Sequence, residues 1–114
     1  MTISYNRLGS NGRLGNQMFQ YASLRGIANY NQYQWMIPPP DCNHRDNYGL
    51  FDTFEMKHCK PENLGFNDGM TITEKTHAFD DSMFYCTDGV NIDSYLQTED
   101  YFVHIADQIR EDFT

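Results

Sequence analysis

A glycine-rich turn, set between a short β-branched segment and a long helical pattern, limits how this chain can fold more than any other feature. Residues 3–7 alternate apolar and polar side chains, which predicts a strand. Gly9, Gly12 and Gly15 follow at intervals of three residues. From residue 16 to about residue 33 the apolar side chains recur at helical spacing, which predicts a helix. Strand, turn and helix in this order are typical of the first half of a βαβ unit.

The second half of that unit follows directly. Residues 34–37 predict another short strand, which is stopped by the prolines at residues 38–40. Because βαβ connections join parallel strands, the glycine turn should lie at the carboxyl ends of the strands, where open α/β sheets bind ligands. We therefore predict an α/β fold with a mostly parallel sheet. Ala22 and Gly26 should let the helix approach that sheet closely.

The rest of the chain is less regular. It contains an apolar segment at residues 49–56, and the sequence predicts strands at residues 70–73, 75–79 and 90–96. A C-terminal helix should follow, capped by Thr98. Glu99 and Asp100 complement the dipole at the start of that helix. A length of 114 residues predicts a single domain over the whole chain.

The charge of the chain excludes one class of partner and leaves another open. A net charge of -8 disfavours nucleic acid, whose binding needs an excess of Lys and Arg. Residues 1–40 nevertheless contain none of the 16 acidic residues, and they include Arg7, Arg13 and Arg25. This distribution indicates either a local anion site or a chance asymmetry.

Targeting segments are not evident in the sequence. No apolar run approaches the roughly 20 residues that a membrane-spanning helix needs. The N-terminus lacks the charged and then apolar pattern of a secretory signal. We therefore expect a cytoplasmic protein without a membrane span.

The cysteines do not form a disulfide or zinc pattern. Cys42, Cys59 and Cys86 are odd in number and include no CxxC pair, so reduced thiols are the simpler interpretation. A zinc site could be drawn from the first two with His44 and His58, but the closely spaced ligand pairs of structural zinc sites are missing. We predict no metal.

The chemistry of the glycine turn separates it from the common nucleotide loops. It lacks the lysine of a P-loop, and it lacks both the GxGxxG spacing and the ribose-binding acid of a dinucleotide fold. Gly12 and Gly15 instead remove side chains near the backbone, Arg13 projects between them, and Asn16 and Gln17 begin the helix. Free amides and a guanidinium suit a diphosphate or a carboxylate. Glycines that serve only the turn are the alternative.

Two longer segments resemble one enzyme family. GRLGNQMFQYASLRGIA, residues 12–28, resembles the N-terminal signature of the family-11 glycosyltransferases, the α-1,2-fucosyltransferases of bacterial and viral type. SYLQTEDYF, residues 94–102, is similar to the GYFQSEKYF segment of that family. NYGLFDTF, residues 47–54, is of the kind found between the two. The resemblance therefore covers nearly the whole chain, in the family's order.

The resemblance implies an inverting transfer of L-fucose from GDP-fucose to a galactose hydroxyl, without a cofactor or a required metal. Its partners would be the sugar nucleotide and a galactose-containing glycan. The implied fold is the Rossmann-like N-terminal lobe of a two-lobed GT-B enzyme. In such enzymes the glycine turn faces the cleft between the lobes and helps to hold the donor, which assigns substrate binding to Gly12, Arg13, Gly15, Asn16 and Gln17. Tyr95 and Gln97 are weaker candidates, for which packing is the simpler role.

The chain also departs from the family pattern. Ser94, Leu96 and Asp100 stand where the family has Gly, Phe and Lys. The HxRxGDY motif, which in the family supplies the basic group for the GDP leaving group, does not occur in the sequence. We therefore expect an incomplete N-terminal portion without transferase turnover of its own. A non-catalytic nucleotide- or glycan-binding module and a self-associating structural protein remain open as alternatives.

Overall fold

Four short parallel strands form the sheet in the computed structural model of the chain. The described residues are 1–10, 12–40, 48–76 and 78–114. The strands are β1 (Thr2–Ser4), β2 (Gln34–Met36), β3 (Thr71–Ile72) and β4 (Asn91–Ile92). They are ordered β2-β1-β4-β3, and every neighbouring pair is parallel. The predicted α/β class with a parallel sheet is therefore confirmed.

Helix α1 (Leu14–Asn31) connects β1 to β2, as the apolar periodicity predicted, although it begins and ends two residues earlier. Gln32 ends it in the left-handed region, with φ 59°. Leu24 and Ile27 are fully buried and share the main core cluster with Ile3 of β1. Since β2 lies on one side of β1 and β4 on the other, the carboxyl ends of β1 and β4 flank the point where the strand order reverses.

The strands are shorter than predicted because contacts at their carboxyl ends turn the chain away from the sheet. After β1, Tyr5 still donates its N–H to the carbonyl of Met36 at 3.1 Å, but Leu8 N–H then turns back to the Tyr5 carbonyl. After β4, the Tyr5 hydroxyl donates to the carbonyl of Ser94, and Leu96 adopts a left-handed φ of 54°. The predicted strand at residues 90–96 is consequently reduced to two residues.

The strand predicted at residues 75–79 is wrong for the residues that the structure describes there, which form bends and coil. Lys75 donates its N–H to the Asp80 carboxylate at 2.8 Å, which folds the segment on itself. Asp80 also accepts from the N–H of Ser82, and so caps a 3₁₀ helix at Asp81–Tyr85. The apolar segment at residues 49–56 contains the single helical turn α2 (Leu50–Thr53).

The C-terminal helix starts as predicted but is not continuous. The Thr98 hydroxyl accepts the N–H of Asp100 at 3.3 Å, which confirms the cap. Two 3₁₀ turns at Glu99–Tyr101 and Val103–Ile105 then precede the helix α3 (Ala106–Asp112).

The path of this segment is determined by its contact with α1. A Cβ placed on Gly26 would lie 1.9 Å from the carbonyl oxygen of Tyr101 and 2.8 Å from Cα of Phe102. His104 Nε2 also lies 2.9 Å from the Gly26 carbonyl oxygen. The close approach predicted between Gly26 and the sheet is therefore wrong, because this glycine contacts the C-terminal segment. Ala22, one turn away, packs there as well, in a cluster with two isoleucines of that segment.

A buried ion pair joins α1 to the end of α3. The Asp112 carboxylate is fully buried and accepts hydrogen bonds from Arg25 Nη1 at 2.5 Å, from the Tyr21 hydroxyl at 2.6 Å and from the N–H of His58 at 2.6 Å. Burial raises the pKa of the Tyr21 hydroxyl far above its usual value, so it remains a donor. Across the described ranges, no helix is long and apolar enough to cross a bilayer.

Candidate functional site

The turn before α1 presents a cation, Arg13, that has no partner among the described residues. Arg13 is the N-cap residue of α1, in an extended conformation, and its side chain is exposed. No other residue that the structure describes forms a hydrogen bond or ion pair with its guanidinium. Gly12 beside it has φ 114°, and a Cβ there would fall 2.6 Å from Asn16 Nδ2, so this position requires glycine. Gly15 is exposed, and a Cβ on it would meet nothing within 4 Å. The first turn of α1 is therefore open to solvent beside a free guanidinium.

The other two arginines of the acid-free segment are neutralised. Arg7 Nη1 lies 3.1 Å from the Asp93 carboxylate, which follows β4. Arg25 lies 2.5 Å from the buried Asp112 carboxylate. The anion site indicated by the charge distribution therefore rests on Arg13 and the amides at the start of α1.

Gln17 holds the turn in place through hydrogen bonds of its buried side chain. Its side chain is fully buried, with Nε2 donating to the carbonyl of Gly12 at 3.2 Å. Its Oε1 accepts the N–H of Gly49 at 3.2 Å, at the start of α2. Gln17 therefore ties the turn to α2 and does not face solvent, unlike Arg13 and Gly15.

The two segments of family resemblance meet at Asn16. Gln97 Nε2 donates to Asn16 Oδ1 at 2.6 Å, across 81 residues of sequence. Gln97 is exposed, and Tyr95 has 51% of its surface exposed. Both side chains therefore lie at the surface, and Gln97 contacts the turn through Asn16.

Glu74, which the sequence did not single out, holds this second segment in place. Its Oε1 accepts from Ser94 Oγ at 2.6 Å and from the N–H of Leu96 at 3.0 Å, and its Oε2 accepts from the Tyr101 hydroxyl at 2.6 Å. Burial and the bond to Glu74 raise the pKa of Tyr101, which keeps its hydroxyl a donor. The signal that could have identified Glu74 is its place directly after β3, at the carboxyl edge of the sheet.

A cavity of about 410 Å³ opens between the segments that follow β3 and β4. Its lining residues are Glu74, Lys75, Thr76, Asp93, Ser94, Tyr95 and Gln97. Because Gln97 also bonds to Asn16, the cavity adjoins the turn before α1. The two features lie at the same edge of the sheet.

The residues considered for zinc do not come together in the part of the chain that the structure describes. Cys42 and His44 lie outside the described residues. Burial raises the pKa of the Cys59 thiol to about 12, and His58 Nε2 lies 3.2 Å from the Glu111 carboxylate at the surface. Among residues 1–10, 12–40, 48–76 and 78–114, no three His, Cys, Asp or Glu side chains are placed to hold a metal ion.

Comparison of the chain with models of protein families, with curated proteins and with solved structures gave no match.

Proposed function

We propose that this chain is the Rossmann-like N-terminal lobe of a GT-B α-1,2-fucosyltransferase, and that the diphosphate of its GDP-fucose donor binds at the turn before α1. The observation that carries the proposal is the exposed guanidinium of Arg13, which has no partner among the described residues and stands at the N-cap of an 18-residue helix. The family resemblance of residues 12–28 and 94–102 supplies the identity of the donor.

The physical basis for anion binding is the addition of two effects. The first N–H groups of a helix are unsatisfied and carry partial positive charge, which favours phosphate at that end. A guanidinium adds bidentate hydrogen bonds, and each bond to a charged group contributes about 1.5–3 kcal/mol. Gly15 leaves the backbone of the first turn accessible, so both effects act on the same ligand.

The arrangement of the second segment supports a site larger than a phosphate cradle. The bond between Asn16 and Gln97 joins the two resembling segments at the edge of the sheet where α/β proteins bind ligands. Gln17 and Glu74 hold these segments in place through partly buried hydrogen bonds. A preorganised site of this kind loses little conformational entropy when its ligand binds.

Our proposal assigns donor binding to this chain and fucosyl transfer to an enzyme that also contains the HxRxGDY motif. Departure of GDP leaves an oxocarbenium-like sugar, so the transfer requires positive charge at the leaving phosphates and a base for the acceptor hydroxyl. Arg13 supplies part of the first requirement. The basic group of the HxRxGDY motif would supply the rest.

Calorimetric titration with GDP-fucose tests the proposal. We expect the chain to bind GDP-fucose and the Arg13→Ala variant to bind it at least about tenfold more weakly, because at least one charge-assisted bond is lost. Arg110→Ala is the matched control, since Arg110 is an exposed arginine of α3 that pairs with Asp107 at the surface. Its affinity for GDP-fucose should equal that of the unaltered chain.

Two results would contradict the proposal. Equal affinities of the unaltered chain and Arg13→Ala would place the donor elsewhere, and absence of binding at millimolar GDP-fucose would remove donor binding from this chain. A parallel titration with UDP-galactose tests the choice of nucleotide sugar. Equal affinity for both ligands would reject the fucosyltransferase assignment and indicate a general nucleotide-binding module.

A further inference from the structure

We propose that the cavity beyond β3 and β4 binds an uncharged, polyhydroxylated ligand, a sugar ring, through Tyr95, Gln97 and Thr76. The inference rests on the proposed function, in which this cavity would be the subsite for the sugar that accepts the fucosyl group. It assigns a ligand class to Tyr95 and Gln97, for which the sequence favoured packing, and to Thr76, which the sequence did not single out.

The location and size of the cavity suit a small ligand. The cavity lies at the carboxyl ends of two parallel strands. Gln97, which lines it, donates a hydrogen bond to Asn16 in the first turn of α1. The cavity volume of about 410 Å³ lies within the range of roughly 300–1,000 Å³ that is usual for small-molecule sites. A ligand there would therefore lie beside a ligand held at Arg13.

The two carboxylates of the lining already have partners in the protein and would repel an anion, which argues against an ionic ligand. Asp93 is already paired with Arg7 at 3.1 Å. Glu74, the other carboxylate in the lining, accepts three hydrogen bonds from the protein. A phosphate would meet two carboxylates at close range, and like charges destabilise binding. An uncharged ligand meets no such cost.

The remaining polar groups suit hydroxyls, each of which both donates and accepts. The lining offers the amide of Gln97, the hydroxyl of Thr76 and the ammonium of Lys75. Gln97 Nε2 donates to Asn16 and the Thr76 hydroxyl donates to the Ala78 carbonyl, which leaves Gln97 Oε1 and the Thr76 oxygen as acceptors for a ligand. Such a mixture of donors and acceptors suits the hydroxyls around a sugar ring, whereas an apolar ligand would form no hydrogen bond with these groups.

Tyr95 adds an aromatic face whose backbone is held on both sides. Its side chain is 51% exposed. The N–H of Ser94 donates to the Tyr5 hydroxyl at 3.2 Å, and the N–H of Leu96 donates to Glu74 at 3.0 Å. An exposed ring on a fixed backbone provides apolar contact area for the C–H face of a sugar at a small entropic cost.

Saturation-transfer NMR with lactose tests this inference. We expect the unaltered chain to bind lactose in the millimolar range, and Tyr95→Ala to weaken binding at least about fivefold through loss of the ring. Tyr95→Phe keeps the ring and should retain most of the affinity. Tyr85→Ala is the matched control, because Tyr85 is exposed but lies beside Tyr30, near the other end of α1.

These measurements distinguish failure of the sugar subsite from failure of the donor site at Arg13. Lactose binding that survives in Arg13→Ala, together with GDP-fucose binding that survives in Tyr95→Ala, would support two adjacent subsites. Absence of lactose binding at millimolar concentration, or equal losses in Tyr95→Ala and Tyr85→Ala, would overturn the sugar subsite while leaving the donor titration unaffected. Binding of inorganic phosphate that Tyr95→Ala abolishes would also overturn it.

Discussion

At the scale of single residues, α1 contains two glycines that should respond oppositely to the same substitution. A Cβ on Gly26 would lie 1.9 Å from the carbonyl oxygen of Tyr101, which belongs to backbone and cannot rotate away. We predict that Gly26→Ala lowers the free energy of unfolding by about 2 kcal/mol or more, as overpacking does in a close-packed interior. Urea denaturation followed by circular dichroism measures the change.

Gly15→Ala is the matched control for that measurement. A Cβ there meets nothing within 4 Å, and the residue lies in the first turn of α1. Alanine costs less backbone entropy than glycine, so this variant should be more stable by roughly 0.5–1 kcal/mol. A Gly26→Ala variant as stable as Gly15→Ala would show that α1 and the C-terminal segment are not in backbone contact.

The exposure of Arg13 could be predicted from the sequence and the burial of Gln17 could not, for a physical reason. A charged side chain between two glycines at a helix start has little to pack against, so its exposure follows from local chemistry. The burial of Gln17 depends on Gly49, which is 32 residues away and contacts it only in the folded chain. The pairing of Arg7 with Asp93 and of Arg25 with Asp112 could not be predicted for the same reason, since these carboxylates are distant in sequence.

At the scale of elements, the buried ion pair between α1 and α3 should be a principal contact of the C-terminal helix. Asp112→Ala leaves the guanidinium of Arg25 buried without its charge partner. We predict a loss of about 3–5 kcal/mol in the free energy of unfolding, a large part of the stability of a small domain. Thermal denaturation at neutral pH measures it.

Asp107→Ala in the same helix provides the comparison. Asp107 forms a surface pair with Arg110, in which both side chains are largely exposed. Such pairs contribute less than about 1 kcal/mol. Similar losses in the two variants would contradict the structural role of the buried pair.

The cap of the 3₁₀ helix at Asp81–Tyr85 should make part of the stability depend on pH. The hydrogen bond from Ser82 Oγ to Asp80, at 2.6 Å, is the largest of the effects that hold the pKa of Asp80 below its usual 3.8. A lowered pKa in the folded state contributes stability above pH 3.8, and this is lost as the pH falls through the folded value.

We therefore predict that Ser82→Ala is less stable than the unaltered chain at neutral pH, and that the difference narrows as the pH falls below 3.8. Urea denaturation at a series of pH values measures both curves. Ser10→Ala, at an exposed turn, should show no such convergence. A difference between Ser82→Ala and the unaltered chain that stays constant with pH would contradict the role of Asp80.

Helices were easier to predict than strands in this chain. The apolar periodicity of α1 is a local property, and it located the helix to within two residues. The strands end where Tyr5 bonds to the chain near Ser94, a contact across 89 residues. The breaks before α3 arise from contact with Gly26, which no pattern within residues 98–114 could indicate.

At the scale of the whole molecule, the βαβ unit predicted a parallel sheet but not its order. Pairing of β1 with β4, and of β4 with β3, joins segments far apart in the chain. That order places the ends of β3 and β4 beside the turn before α1, and so creates the cavity that Tyr95 and Gln97 line. The cavity could not be foreseen, because it depends on the sheet order and on Glu74.

The central claim is that the turn before α1 binds the diphosphate of a guanosine nucleotide. A ¹H–¹⁵N NMR titration of the labelled chain with GDP tests it most directly, because it reports the position as well as the affinity. We predict saturable shifts centred on the amides of Gly12, Arg13, Gly15 and Asn16, and their loss in Arg13→Ala. Shifts centred on α3, or no saturable shift at millimolar GDP, would contradict the claim.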